Sequence, residues 1–300
     1  MFRSTRSSEE NVALLAKSPS QRIDESDVLG PQLSDAMFEE ISTLVKSICG
    51  INLHEGKKQL VKARLNKRLR ATNLPTYEAY LDHVRSDVNG DELTVMLDSL
   101  STNLTQFFRE PKHFEHLRGT VLPEVVRRRS QERQIRIWSA GCSSGEEPYS
   151  IAIVLREHLG KSDWNAAVLA TDLSTRMLHR AKQGVYESMR LRDVPAGLLS
   201  KHFQLIEARP ARRYQVAPEV RQMVHFARLN LMERWPMHGP FDAIFCRNVM
   251  IYFDKPTQER LVQRFWEILA PGGTLFLGHS ESLAGVKHRF HYIQPTVYNK

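Results

Sequence analysis

The chain has 300 residues, of which 41% are hydrophobic and 25% charged, a composition typical of a globular protein with one large or two modest domains. No stretch approaches the roughly 18 apolar residues that cross a bilayer, and no apolar segment of signal-peptide length is present near the amino terminus, so we expect a cytoplasmic protein without membrane insertion. The three cysteines are far apart in the sequence, which predicts neither a disulfide framework nor a metal site. The net charge of +8 favours an anionic partner, which composition leaves open between nucleic acid, a membrane surface and an acidic protein.

The amino-terminal third predicts a tail followed by a small helical domain. Residues 1–33 are rich in serine and charge and predict a disordered tail. Ser34 is typical of an N-cap, and Gly50 is typical of a residue that ends a helix. We therefore predict an all-helical domain with its linker over 34–112. Apolar residues at helical spacing predict its helices at 34–50, about 56–71, about 76–86 and about 90–100.

The second predicted helix is strongly basic. Leu60, Leu65 and Leu69 belong to its apolar stripe, whereas its other faces carry lysine and arginine, with no acid between positions 57 and 71. Two interpretations remain open from the residues alone. The cations form a solvated helix face, or they attract an anionic partner.

From residue 113 onward, short apolar strands alternate with helices, which predicts an α/β domain over 113–300 with a mostly parallel sheet covered on both faces. Residues about 186–222 interrupt the alternation and predict a small inserted subdomain. The predicted strands are 135–139, 167–171, 241–246 and 274–278, and the predicted helices are 146–159, 174–183 and 256–269.

The first predicted strand ends in a loop of small residues, within IRIWSAGCSSGEEPYS at 135–150. Such a strand, loop and helix form the ligand loop of nucleotide-binding α/β domains. The spacing is not GxGxxG and no P-loop lysine follows, which disfavours a nicotinamide enzyme and an NTPase. Glu146 and Glu147 would repel a pyrophosphate, but they tolerate a nucleoside ligand without phosphates. The alternative is that both glutamates only complement the helix dipole.

Polar side chains also follow three other strand-like runs. Asp172 lies where such domains bind ribose hydroxyls, although it is equally suited to cap the next helix. Asn230-Leu231 and Arg247-Asn248 each end a later apolar run. Because ligands bind beyond the carboxyl ends of parallel strands, these residues are candidates for a nucleoside site, with ordinary loop hydrogen bonding as the alternative. Together they favour an S-adenosylmethionine-dependent methyltransferase.

The longer motifs identify a family. TNLTQFFRE, SSGEEPYSIA, ATDLS, FCRNVMIYFDK, LGHSES and TVYNK resemble the recurring segments of bacterial chemotaxis receptor methyltransferases, the CheR family, over roughly 34–300. The resemblance implies a class I, Rossmann-like methyltransferase domain with a small β insertion, preceded by a small all-helical domain. It also implies S-adenosylmethionine as methyl donor, S-adenosylhomocysteine as product, and glutamate methyl esters on methyl-accepting chemotaxis receptors, for sensory adaptation.

The same resemblance implies roles for individual residues. Arg109 and Tyr252 are the expected catalytic residues, acting by positioning, because a glutamate with a pKa near 4.3 is already ionised and needs no general base. The expected cofactor-binding residues are Asn103, Thr105, Arg109, Glu147, Asp172, Asn230, Leu231, Arg247 and Asn248. The expected docking residues for the acidic, helical cytoplasmic region of a receptor are Lys57, Lys58, Arg64 and Arg68.

The expected partner is therefore a chemotaxis receptor, reached by a cytoplasmic monomer that is recruited to membrane receptor arrays. Reversing Arg64 and Arg68 to glutamate is predicted to raise the receptor KM and leave cofactor affinity nearly unchanged. A nucleic-acid methyltransferase is an alternative, but Cys246 follows Phe245 rather than proline, and Arg-Asn-Val-Met replaces the motif that amine methylation requires. A non-catalytic adaptor that binds the cofactor is the second alternative.

Overall fold

The computed structural model describes residues 31–101, 103–160 and 162–300. The predicted tail lies outside the described residues apart from positions 31–33. Residues Leu33–Lys300 form one unit that contains both the helical and the α/β parts. Within the described ranges, no helix combines the length and the apolar character needed to cross a bilayer.

From residue 31 to residue 101, the amino-terminal part forms a bundle of four α-helices, as expected. Its first helix begins after Ser34, whose Oγ accepts a hydrogen bond from the Met37 amide at 3.2 Å, and ends at Gly50 with a φ of 76°. The predicted stripe is only partly correct, because Leu65 and Leu69 are buried whereas Leu60 is 40% exposed. The helices are α1 (Asp35–Cys49), α2 (Lys58–Thr72), α3 (Tyr77–Ser86) and α4 (Asp91–Leu100).

The segment that follows α4 comprises 101–110, and its described residues, 101 and 103–110, form neither helix nor strand. It leads into α5 (Pro111–His116) and α6 (Leu122–Arg128), which are joined by one π-helical turn. Phe107 in this segment is fully buried and packs edge-to-face on Tyr186 and Phe203, with ring centroids 4.9 and 5.3 Å away. The segment is thereby anchored against the α/β part.

The central sheet has seven strands in the order β6-β2-β1-β7-β8-β10-β9. The neighbours from β6 to β8 are parallel, and the last two pairings are antiparallel. Trp138 and Phe245 are fully buried on the strands that form its centre. The strands are β1 (Gln134–Ala140), β2 (Asn165–Asp172), β6 (Val224–Arg228), β7 (Phe241–Cys246), β8 (Leu269–Leu277), β9 (His291–Gln294) and β10 (Val297–Asn299).

Helices cover this sheet, which confirms the predicted α/β class. The strand predicted at 274–278 is the second part of β8, which begins earlier because Leu269 already pairs with Phe241. The sequence prediction missed β9 and β10, which are short; β9 forms the sheet edge and buries little, and β10 lies between β8 and β9. The main helices of this part are α7 (Glu146–Leu159), α8 (Thr175–Gln183) and α11 (Lys255–Ile268).

The predicted β insertion forms a separate three-stranded antiparallel sheet in the order β3-β5-β4. Tyr186 on β3 donates a hydrogen bond from its hydroxyl to the Ser144 carbonyl at 2.7 Å. The insertion therefore contacts the loop after β1. Its elements are β3 (Val185–Glu187), α9 (Ala196–His202), β4 (Phe203–Glu207) and β5 (Arg213–Val216), with the short α10 (Pro218–Arg221) leading back to β6.

Candidate active site

The candidate site is a cavity at the carboxyl edge of the central sheet. Strand β1 lies between β2 and β7, so the chain leaves β1 towards β2 on one side and returns by β7 on the other. This is the topological switch point, where open α/β sheets bind ligands. Helix α2 and the segment that follows α4 form the opposite wall of the cavity.

Most of the residues that the sequence singled out meet in this cavity. Among the described residues that line it there is no histidine, and the acidic residues are Glu147 and Asp172. Of the predicted cofactor and catalytic residues, those that line the cavity are Asn103, Thr105, Arg109, Glu147, Asp172, Leu231, Arg247, Asn248 and Tyr252.

The loop after β1 is shaped by Asp172 and by glycine. The two Asp172 oxygens accept hydrogen bonds from the Ser143 and Ser174 amides, both at 2.8 Å. Gly141 has a φ of 92°, and a Cβ there would meet Val249 Cγ2 at 2.4 Å, so only glycine fits. The N-cap of α8 is Ser174, whose hydroxyl accepts from the Met177 amide at 3.2 Å, so the capping role considered for Asp172 from sequence is wrong. Each of the Asp172 oxygens still has a second lone pair that can accept a ribose hydroxyl.

Arg247 is held between two carboxylates beneath the cavity. Its guanidinium lies 3.0 Å from Glu110 Oε2 and 3.1 Å from Glu147 Oε2, and it also donates to the Arg109 carbonyl. The Arg247 side chain is only 1% exposed. Because Glu110 and Arg109 belong to the segment after α4, Arg247 fastens that segment to the end of β7.

The charges around Arg247 shift the pKa of each partner. Burial raises the pKa of Glu147, and Arg247 opposes that shift. Burial alone would also raise the pKa of Glu110, but the Arg247 charge and the His279 amide lower it below its usual value. Burial also raises the pKa of Asp172, although the hydrogen bonds that it accepts from backbone amides act in the opposite direction. A cationic or hydroxyl-bearing ligand beside Glu147 and Asp172 would favour their ionised forms.

Asn248 is positioned by Glu281, to which the sequence had assigned no role. Its backbone has a φ of 59°, and its amide donates to Glu281 Oε2 at 2.8 Å. The same oxygen accepts from the Gly278 amide at 2.6 Å, and the other oxygen of Glu281 accepts from Ile251. The signal available in the sequence was the acid in LGHSES, directly after a predicted strand. Glu110 was likewise quoted within a motif and given no role.

Asn230 is the exception among the predicted cofactor residues. Its amide nitrogen donates to the Ile48 carbonyl at 2.7 Å and to Glu233 at 3.1 Å, and its side-chain oxygen accepts from Met232. The side chain therefore joins the strand end to α1 and does not line the cavity. For the Asn230 side chain, the structure supports the loop hydrogen-bonding alternative.

The predicted docking residues divide into two pairs. Lys57 and Arg64 line the cavity, and Lys57 Nζ lies 5.1 Å from the centre of the Tyr252 ring. Lys58 instead forms an ion pair with Asp35. Arg68 makes a two-pronged contact with Glu92, at 3.0 and 2.8 Å.

Arg64 also has a structural role. One of its nitrogens donates to the carbonyls of Leu100 and Ser101, at 2.6 and 3.0 Å, where the segment after α4 begins. The predicted outcome of reversing Arg64 and Arg68 therefore needs correction. Arg64→Glu would disturb the cavity wall and Arg68→Glu the helical bundle, so we now expect the double reversal to change cofactor affinity as well.

The residues present suit a phosphate-free nucleoside that also carries an amino-acid group. Asp172 can accept from ribose hydroxyls, and Glu147 can pair with an ammonium group. No lysine or arginine lies in the loop 141–145 where a pyrophosphate would bind. S-adenosylmethionine has the functional groups that this donor and acceptor set requires.

Comparison with known families agrees with this geometry. A family model described as the all-alpha domain of CheR methyltransferase matches residues 36–101. A second, described as the SAM binding domain of CheR methyltransferase, matches residues 103–299. The two matches together span most of the described chain and meet at the segment that follows α4.

Curated relatives give the same result over more than nine tenths of their length. A chemotaxis protein methyltransferase 2 of Pseudomonas aeruginosa is 43% identical over 264 residues, covering 87% of this chain and 92% of that protein. A probable chemotaxis protein methyltransferase of Rhizobium etli is 42% identical, covering 85% and 96% respectively. The chemotaxis protein methyltransferase of Escherichia coli is 41% identical, covering 89% and 91%. The chain therefore belongs to the CheR family of SAM-dependent methyltransferases.

Proposed function

We propose that this methyltransferase forms methyl esters on glutamate side chains in the cytoplasmic helical region of methyl-accepting chemotaxis receptors, and so serves sensory adaptation. The observation that carries the proposal is the composition of the cavity. Three of its cations, Lys57, Arg64 and Arg109, line the same space as the candidate nucleoside residues, and none of the described lining residues is a histidine. An anionic acceptor that needs no base fits this arrangement.

The chemistry requires alignment more than proton transfer. S-adenosylmethionine supplies a methyl group bound to a sulfonium. A carboxylate oxygen of the acceptor forms a bond to the methyl carbon as the carbon–sulfur bond breaks, and the electron pair stays on sulfur, giving S-adenosylhomocysteine. A glutamate is ionised at neutral pH, so the protein contributes position and exclusion of water.

Arg109 and Tyr252 are the proposed catalytic residues. Arg109 is half-buried, and its side chain donates to the Leu104 carbonyl at 3.0 Å within its own segment. We assign it the orientation of the incoming carboxylate by a charge-assisted hydrogen bond. Tyr252 follows β7 and also lines the cavity. Its carbonyl accepts from the Asn52 amide at 2.7 Å, which connects this part of the lining to the helical part.

The remaining assignments complete the proposed cofactor site. Asn103 is fixed by the Ser143 hydroxyl, which donates to its carbonyl at 2.9 Å. This contact links the segment after α4 to the loop after β1. We propose cofactor contacts at Asn103, Thr105, Arg109, Glu147, Asp172, Leu231, Arg247 and Asn248, and exclude the Asn230 side chain.

The test is transfer of labelled methyl from S-adenosylmethionine to receptor cytoplasmic fragments, scored as methanol released by base. We expect release with the native fragment and none when the acceptor glutamates are alanine. Arg109→Ala should lower kcat by about 100-fold or more with an unchanged melting temperature. Label that enters nucleic acid, or binding of the cofactor without transfer to any receptor fragment, would overturn the proposal in favour of the two alternatives considered above.

A further inference from the structure

A cluster of three metal-ligating side chains lies outside the residues that line the cofactor cavity. It consists of Glu110, His113 and His279, whose nearest ligand atoms all lie within 4.8 Å of one another. His113 Nδ1 is 3.4 Å from Glu110 Oε2, and His279 Nε2 is 3.9 Å from the same oxygen. The first two side chains are buried, whereas the His279 side chain is 58% exposed.

The surroundings of His113 bear on its tautomer. Its Nε2 lies 2.7 Å from Thr296 Oγ1, which also lies 2.6 Å from the Pro295 carbonyl. The Thr296 hydroxyl has a single hydrogen, and when it donates to Pro295, Oγ1 accepts from His113 Nε2–H. In that tautomer the other ring nitrogen, Nδ1, carries a lone pair.

That lone pair has no hydrogen-bond donor. His113 Nδ1 is buried without a hydrogen-bond partner, in a side chain that is 2% exposed. It faces Glu110 Oε2, which is itself an acceptor. In the tautomer with a lone pair on Nδ1, two buried acceptors face each other, which is unfavourable unless a cation lies between them.

We propose that Glu110 Oε2, His113 Nδ1 and His279 Nε2 bind a divalent transition-metal ion, with Zn²⁺ as the best match. Two imidazole nitrogens and one carboxylate form a typical three-ligand zinc set, which leaves a fourth position for water. Bonds of about 2.1 Å at tetrahedral angles place ligand atoms roughly 3.4 Å apart, whereas the two histidine nitrogens lie 3.4 and 3.9 Å from Glu110 Oε2, so binding requires a small inward movement of the exposed His279. Imidazole ligands favour zinc, cobalt, nickel or copper over magnesium and calcium.

The surrounding charge permits a cation at this position. Two carboxylates, Glu110 and Glu147, face the single guanidinium of Arg247. Arg247 occupies one side of Glu110 Oε2, and an oxygen of a carboxylate has a second lone pair for the metal. The exposed His279 side chain provides the route by which an ion enters.

The test is metal binding by the full chain after treatment with a chelator. Zn²⁺ is titrated by calorimetry, and Co²⁺ is followed by its visible absorption. We expect one saturable site in the wild-type protein and an affinity at least about tenfold weaker in His279→Gln. His288→Gln changes an exposed histidine outside the cluster and should bind as the wild type does.

His113→Gln provides a second variant, with its melting temperature measured to confirm that it folds. We expect it to bind Zn²⁺ at least as weakly as His279→Gln. Equal affinity in the wild type and His279→Gln, or absence of saturable binding, would overturn the proposal. A near-ultraviolet cobalt–thiolate band would also overturn it, because the proposed ligand set contains no cysteine. These readouts do not depend on the proposed receptor substrate.

Discussion

Charged residues behave differently at the carboxyl edge of the sheet and on the basic helix α2. At the edge, Arg247, Glu147 and Asp172 end strands or start helices, and all three line the cavity. On α2, Arg68 and Lys58 are instead paired with acids of the helical bundle. Strand ends fix where a side chain points, whereas a helix surface offers each long cation several neighbours. The position of a charge in the sequence is therefore a better guide to function at strand ends.

The largest effect is expected at Arg247. Arg247→Met leaves Glu110 and Glu147 buried without their cation, which typically costs about 3–5 kcal/mol, and it releases the segment that carries Arg109. We expect the dissociation constant for S-adenosylmethionine to rise by about 100-fold or more, together with a lower melting temperature. Calorimetry and thermal unfolding measure the two effects.

The matched control for Arg247 is Arg234→Met, which removes an exposed arginine outside the cavity lining. Its cofactor affinity should equal that of the wild type. If Arg247→Met binds the cofactor as tightly as this control, the strand-end arginine is not part of the site, and the comparison between the two regions fails.

The edge of the sheet was also the region that the sequence predicted best. A strand, a small-residue loop and an acid after the next strand specify the position of Asp172, because β1 and β2 are parallel neighbours. Glu110 and Glu281 could not be assigned in this way. Their roles depend on contacts with Arg247 and Asn248, which are 137 and 33 residues away in the chain, and spacing alone does not reveal such partners.

Arg68 tests the expectation that cations of α2 stabilise the helical bundle. Its guanidinium and the Tyr80 hydroxyl both bind Glu92 inside the helical bundle. Arg68→Glu places two acids together there, and we expect the free energy of unfolding to fall by about 2–3 kcal/mol. Urea denaturation measures this loss. Lys67→Glu, at the adjacent exposed position, should change stability by less than about 0.5 kcal/mol.

A stable Arg68→Glu variant with a raised receptor KM would contradict the assignment. That result would mean that Arg68 serves docking, as the sequence first suggested. The amphipathic pattern predicted the helix and the burial of Leu65 and Leu69 correctly, although Leu60 is exposed. It could not predict that Asp35 and Glu92, on neighbouring helices, bind two of the four expected docking cations.

Lys57 is expected to give a smaller effect, confined to the acceptor. It lines the cavity beside Tyr252, and its pKa is lowered by burial and by the nearby Arg64. Lys57→Glu should raise the receptor KM by about 3- to 10-fold at low salt, and the difference should shrink as salt rises. Lys67→Glu makes the same charge change at an exposed position of α2 outside the cavity lining and should leave the KM unchanged. Equal KM values in both variants would remove Lys57 from the docking surface.

The smallest effect is expected at Asp254, which connects the α/β part to the helical part. Asp254 caps α11 by accepting from the Thr257 amide at 3.1 Å, and it pairs with Lys46 of α1 at 2.8 Å. Asp254→Ala should lower the free energy of unfolding by about 1 kcal/mol. Asp254→Asn keeps a capping oxygen and loses the exposed ion pair, so it should cost no more than about 0.5 kcal/mol.

The dependence of stability on pH separates the contribution of the ion pair with Lys46 from that of the helix cap. The Lys46 ammonium and the Thr257 contacts lower the pKa of Asp254 from its usual 3.8 to about 2. A lowered pKa contributes stability that is present above about pH 4 and is lost as pH falls towards 2. The difference in unfolding free energy between the wild type and Asp254→Asn should therefore be constant from pH 7 to about 4 and close below that. A difference that persists undiminished at pH 3 would show that the ion pair with α1 is not its source.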